Sequence, residues 1–243
     1  MKRYLFEIKC AGLAALLVAI VCVSTSLAQL SGGVGGFPGP GTAHTATAGP
    51  TFTFRNSAST TAAGAAISTS VDIGTASADR LIIVSAMYGT TGVAVTSITV
   101  NGTSLTADEN GTLGVAIYSG LVTTGSGPQN VTVTWASGSF NNRGFALWTA
   151  TGLNSNLVKQ HTNFSTISGT ISVTAGDFMV GSFFSSGGTS TWAGSTEAPT
   201  VRTVFSPSPS GQAPEWNTIA STNAAFSADH TGSAGNTALA TYR

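Results

Sequence analysis

The side chains able to do acid, base or metal chemistry are few, and their spacing decides what they could do. After residue 28 there are eight carboxylates, namely Asp72, Asp79, Asp108, Glu109, Asp177, Glu197, Glu215 and Asp229. Glycoside hydrolysis needs two carboxyl groups facing each other at roughly 5–9.5 Å. Asp72, Asp79, Asp108 and Asp177 sit at turns or strand entrances, where capping is their ordinary work. Glu197 and Glu215, each near a tryptophan, are the pair placed for a cleft, although Thr196-Glu-Ala-Pro199 and Ala213-Pro-Glu-Trp216 are not family signatures. No catalytic residue is assigned. His44, His161 and His230 show no ligand spacing among themselves or with cysteine, so no metal site and no cofactor is expected. Asp108-Glu-Asn-Gly111 offers three hard oxygen side chains to calcium, but it reads first as a hairpin turn.

Aromatic side chains carry the binding hypothesis. Trp135 is in phase with Val131 and Val133, and Trp148 alternates with Phe145 and Leu147, so both are expected in the core. Trp192 stands among Ser, Thr and Gly, and Trp216 follows the loop-like Ser206-Pro-Ser-Pro-Ser-Gly-Gln-Ala-Pro214. An indole on a loop is what stacking on a sugar ring requires. Trp192 and Trp216 are therefore the candidate ligand-binding residues, against the alternative that they fold back to cap the end of a sandwich.

The elements that must position these residues read as strands. Phe52 and Phe54 alternate with threonines, and Arg80-Leu-Ile-Ile-Val-Ser-Ala-Met87 suits a strand buried on both faces. Val93 to Val100 runs through the hairpin dipeptide Asn101-Gly102 into Thr103–Thr106. Strands are also expected at 113–118, 130–135, 144–149, 169–173, 177–184 and 236–242, with no sustained helical repeat after the leader. Turn dipeptides at this spacing predict an all-β antiparallel sandwich, jelly-roll-like in kind. Ile67–Val71 followed by Asp79–Val84 is echoed by Ile171–Val173 followed by Asp177–Val180, consistent with two similar halves of one jelly roll and not with two domains.

At the amino end, Lys2, Arg3 and Lys9 precede the apolar run Ala11–Val23 and the small residues Ser26 and Ala28. This pattern predicts a signal helix over 1–28, cleaved after Ala28, and hence a secreted or surface-exposed protein. Both cysteines, Cys10 and Cys22, fall inside it, so the exported protein is expected to lack thiols and disulfides. The apolar run is short beside the ~20 residues of a bilayer span, and no later segment is apolar enough to cross a membrane. Residues 29–50 are a Gly- and Pro-rich spacer without the collagen period, and 51–243 form a single β-sandwich domain.

Charge excludes one partner class. The leader takes three of nine cations and one of nine anions, leaving six against eight, a formal net of −2 with no basic patch for nucleic acid. Four sequons, at Asn101, Asn110, Asn130 and Asn163, are given no role in a chain this rich in Asn, Ser and Thr.

The segments Asp79–Ala86, Val95–Thr106 and Val131–Trp135 together resemble a loosely defined class of bacterial and phage β-sandwich proteins. These serve as virion surface or fibre proteins, or as sugar-binding modules of secreted proteins. The resemblance spans about residues 65–155 and the final strand at Tyr242, and rests on strand patterns, so it carries over no site residue. An export leader departs from the usual virion pattern. The expected function is non-enzymatic: structure, assembly or adhesion through self-association at a cell or virion surface. The alternatives are a carbohydrate-binding module that takes a glycan on Trp192 and Trp216, and a secreted glycoside hydrolase using Glu197 or Glu215.

Overall fold

Period-two alternation of apolar and small polar residues runs through most of the chain after Pro50, and it folds as strands. A computed structural model describes residues 50–90, 92–110, 114–136, 142–153, 160–164, 170–187, 191–192, 195–206, 209–228 and 235–243, with the side chains of 160–164 excepted. The leader and spacer, both cysteines, His44, His230 and Asp229 lie outside the described residues, as does the side chain of His161. The described residues are all-β, with every paired strand antiparallel and no helix among them.

Nine strands come first: β1 (Thr51–Thr60), β2 (Ala66–Asp72), β3 (Leu81–Tyr88), β4 (Val95–Val100), β5 (Thr103–Ser104), β6 (Thr106–Asn110), β7 (Val115–Leu121), β8 (Pro128–Trp135) and β9 (Arg143–Thr151). They form two sheets, β1-β9-β3-β7-β6 and β2-β8-β4-β5. Seven more follow: β10 (Gln160–Phe164), β11 (Thr170–Val173), β12 (Phe178–Ser185), β13 (Thr200–Phe205), β14 (Ser210–Trp216), β15 (Asn223–Ser227) and β16 (Gly235–Tyr242). These form the sheets β10-β16-β12-β14-β13 and β11-β15. The two five-stranded sheets have one wiring. Replacing β1, β9, β3, β7 and β6 by β10, β16, β12, β14 and β13 converts the first order into the second. The β2-β8 pair likewise becomes β11-β15. The sequence echo that sets Asp79 against Asp177 points to this repeat but is one residue out of step, since Arg80 and Asp177 are the residues directly before the middle strands β3 and β12.

Three apolar clusters separate the four sheets. Ile67, Val71, Ile98, Val131 and Val133 of β2, β4 and β8 pack against Ile82, Val84, Phe145 and Leu147 of β3 and β9. The other face of β3 and β9, with Leu81, Ile83, Met87, Ala146 and Trp148, packs against Phe178, Val180, Phe184 and Ala240 of β12 and β16. The far face of β12 and β16, with Met179, Phe183 and Leu239, meets Ile171, Val173 and Phe226 of β11 and β15. Strands β3, β12, β14 and β16 are consequently buried along their whole length, whereas β2 and β8 alternate. The dense apolar run at Arg80–Met87 matches a strand buried on both faces. The layers number four.

Turn chemistry falls where expected at Asn101-Gly102, with φ of 49° and 81°, which closes the β4–β5 hairpin. Asp108–Asn110 differ: they belong to edge strand β6 and not to a turn. Strand β14 was hidden in a run that looks like loop, because it holds Pro214 while pairing on both sides. Proline cannot donate to a ladder. Gly181, which falls opposite this stretch, provides the room: a Cβ there would come 2.6 Å from the Pro214 ring.

Candidate functional site

The potentially reactive side chains gather in four places, and each is built by the sheet stacking. The first lies between the two five-stranded sheets. Glu215 on β14 faces the layer occupied by Trp148 of β9, and one carboxylate oxygen accepts the Trp148 indole N–H. The other oxygen is 2.5 Å from Nη2 of Arg202 on β13. The Arg202 guanidinium in turn lies 4.3 Å from the centre of the Phe54 ring, and Phe54 meets Trp148 edge-on at 5.8 Å. The carboxylate is thus buried and engaged at both oxygens, an arrangement that fastens β9, β13 and β14 together.

The second place is at the opposite edge of the same layer. Tyr242 of β16 donates its hydroxyl to Asp108 Oδ2 of β6 at 2.5 Å. Burial, reinforced by the Asp108 charge, pushes the Tyr242 phenol well above its ordinary range. A register shift between Ala107 and Glu109 turns the neighbouring side chain the other way. Asn110 therefore donates to the Val95 carbonyl and the Tyr118 hydroxyl, at 2.9 and 2.8 Å, on the side of β4. Asp108 and Asn110 bond on opposite sides of the sheet and do not converge on a calcium ion. Among the described residues no three His, Cys, Asp or Glu side chains are grouped to hold a metal.

The third place contains both candidate tryptophans. Trp192 and Trp216 meet edge-on, with ring centres 5.9 Å apart, and are flanked by Phe183 and Phe226. They are 9% and 3% exposed and belong to the cluster between β12–β16 and β11–β15. Trp192 donates its indole N–H to Gln212 at 3.1 Å, and Trp216 donates to the Glu197 carbonyl at 2.8 Å. Sugar stacking needs an open ring face, and both of these rings are buried.

Glu197 lies on this outer side too, with its carboxylate accepting the Ala220 N–H at 2.9 Å. Glu215 and Trp216 are consecutive in β14 and so point to opposite faces. Glu197, beside Trp216, is separated from Glu215 by the sheet itself. The two carboxylates expected of a hydrolase do not face one another.

The fourth place was not singled out from the sequence. Arg80, 1% exposed, extends from the start of β3 into the end of the first half. Its guanidinium donates to the carbonyls of Val122, Ile73, Gly74, Thr75, Thr124 and Gly125 at 2.6–3.5 Å. Six inward-facing carbonyls tie the β2–β3 and β7–β8 connections to one cation. Burial, with a smaller contribution from Arg55, lowers the Arg80 pKa. Its counterpart in the second half is Asp177. The Arg80 carbonyl accepts Val122 N–H, and the Asp177 carbonyl accepts Ile219 N–H in the same way. Asp177 Oδ2 accepts the Thr174 N–H at 2.7 Å, so an anion holds inward-facing N–H there. The available signal for Arg80 was an arginine set directly before the most apolar strand.

Trp135 and Trp148 are core residues, as their spacing predicts. Comparison of the chain with protein-family models, with curated protein sequences and with solved structures finds no match.

Proposed function

We propose that this chain is a non-enzymatic structural or assembly protein, exported through residues 1–28 and working at a cell or virion surface. In this reading the region after Pro50 is a doubled jelly roll. Strand order supports it: β1-β9-β3-β7 opposite β2-β8-β4-β5 follows the two Greek keys of a jelly roll, and β10-β16-β12-β14 opposite β11-β15 follows the same path, with no counterpart of β4 and β5 among the described residues.

The observation that carries the functional reading is the use made of reactive side chains. Glu215, Arg202, Asp108, Arg80, Trp192 and Trp216 each fasten one element to another, and each does so through contacts already made within the chain. A stacked body poor in charge and rich in Ser and Thr suits repetition of the molecule in an array. The test has two readouts on protein collected from the medium of an expressing cell. Amino-terminal sequencing is expected to begin at Gln29, and sedimentation is expected to show association that grows with concentration. A chain that retains Met1, or one that stays monomeric at the highest soluble concentration, removes the proposal.

A further inference from the structure

Edge strands normally carry devices that stop them from pairing with another chain. Most edges of this protein carry one. The β1 register shifts between Phe54 and Asn56, and that of β13 shifts between Thr203 and Phe205. Strand β6 has a shift and two acidic side chains, Asp108 and Glu109. On β15, the N–H of Ser227 is taken by Thr196 Oγ1 and that of Ala225 by Asn223 Oδ1. Strand β5 is two residues long and β10 is five.

Strand β2 carries none. All seven of its residues pair with β8 in unbroken register, Ala66↔Thr134 through Asp72↔Pro128, and among the described residues no strand pairs with its other side. It has no proline, and its single charge is at the end. Ser68 and Ser70 are exposed, while Ile67 and Val71 face the core.

The five central residues of β2 are also a palindrome by residue type. In Ala66-Ile-Ser-Thr-Ser-Val-Asp72, Thr69 is the centre, Ser68 mirrors Ser70, and Ile67 mirrors Val71. This symmetry suits an isologous contact, because a two-fold axis sets each residue against its mirror position. We propose that β2 of one copy pairs antiparallel with β2 of a second copy about an axis at Thr69. Thr69 then opposes itself, Ser68 opposes Ser70 on the outer face, and Ile67 opposes Val71 on the core side. Ala66 opposes Asp72, so no like charges meet. The two β2-β8-β4-β5 sheets become one eight-stranded sheet, whose outward row Ser68, Thr132, Thr99 and Ser104 continues across the axis. A partner of different sequence would gain backbone bonds but lose this side-chain matching.

This inference rests on the assembly role proposed above, and its test separates the two. The variant S68K/S70K sets lysines against lysines across the axis. The variant S68K/S70D sets a lysine against an aspartate twice. Both changes are on exposed side chains, and circular dichroism with urea unfolding confirms that each variant folds. Sedimentation of the full secreted chain is expected to show a dimer for the parent and for S68K/S70D. For S68K/S70K a weakening of at least about tenfold is expected, from like charges directly opposed. Hydrogen exchange adds a local readout: amide protection over Ile67–Val71 should rise with concentration in the parent and not in S68K/S70K. Association that S68K/S70K leaves intact overturns the β2 contact while the assembly role stands. A monomeric parent overturns both.

Discussion

Trp192 shows how a side chain's neighbours, more than its sequence surroundings, fix its role. It is flanked by small polar residues in the chain, yet its ring sits against Phe183 and Trp216. Trp192→Ala would leave a cavity and remove the indole hydrogen bond to Gln212 Oε1, for a loss of about 3–5 kcal/mol. Urea unfolding measures it, and a loss near zero would show that the ring is peripheral. Glu215 is the matching polar case. Glu215→Ala strands the buried Trp148 N–H and removes the partner of Arg202, whose side chain is 34% exposed and partly recovers in water. Discounted for that exposure, the expected cost is about 2–3 kcal/mol. Arg202→Ala should cost less, because Glu215 keeps the indole bond. Denaturation midpoints of the two variants test that order.

Strands β6 and β16 are joined through one hydroxyl, and this makes their contact sensitive to alkali. The raised Tyr242 pKa means that the folded protein holds a proton that the unfolded chain releases near pH 10. The associated stability is complete below that pH and falls as pH rises above it, by about 1.4 kcal/mol per unit for this group. Unfolding free energies between pH 8 and 11 should show the decline, and Tyr242→Phe should flatten it. Tyr118, whose pKa burial also raises, leaves a residual slope. A Tyr242→Phe profile as steep as the parent's would refute the assignment. Strands β3 and β12 are joined differently, by reciprocal bonds. Ser85 donates to the Gly181 carbonyl at 2.9 Å and Ser182 to the Ala86 carbonyl at 2.7 Å. The equivalent serine of each half thus anchors the backbone of the other.

The repeat gives the molecule its stacked form. Each half buries one face of its five-stranded sheet against its own smaller sheet, and the remaining face against the other half. Neither half is self-sufficient on that account. A chain ending at Leu153 would expose Leu81, Ile83, Met87, Ile117 and Trp148 to water, a patch of the kind that drives association. Produced alone, it is expected to aggregate or to bind a hydrophobic dye strongly, whereas the whole chain should unfold in one cooperative transition. Two separate transitions in the whole chain would indicate that the halves are independent.

Much of this architecture is legible from local pattern. The two-residue period marks β8 through Val131, Val133 and Trp135, and Asn101-Gly102 marks the β4–β5 hairpin, because pleat and turn depend on near neighbours. The strength of the run at Arg80–Met87 signals burial on both faces. Strands β13, β14 and β15 carry no comparable signal: Pro214 breaks the expected ladder, and Ala224 and Ala225 are small and exposed. In β6 the acidic residues imitate a turn, and the strand exists because β7 pairs with it.

Composition and periodicity alone establish an all-β chain, poor in charge, with a faint internal echo and core positions for Trp135 and Trp148. Which faces meet is another matter. That Glu215 would reach Trp148, that Asp108 would reach Tyr242, and that six carbonyls would surround Arg80 depends on contacts between residues far apart in the chain. Alternation says that a side chain leaves the sheet on one face; it carries no information on what a second sheet, folded from another stretch, places opposite.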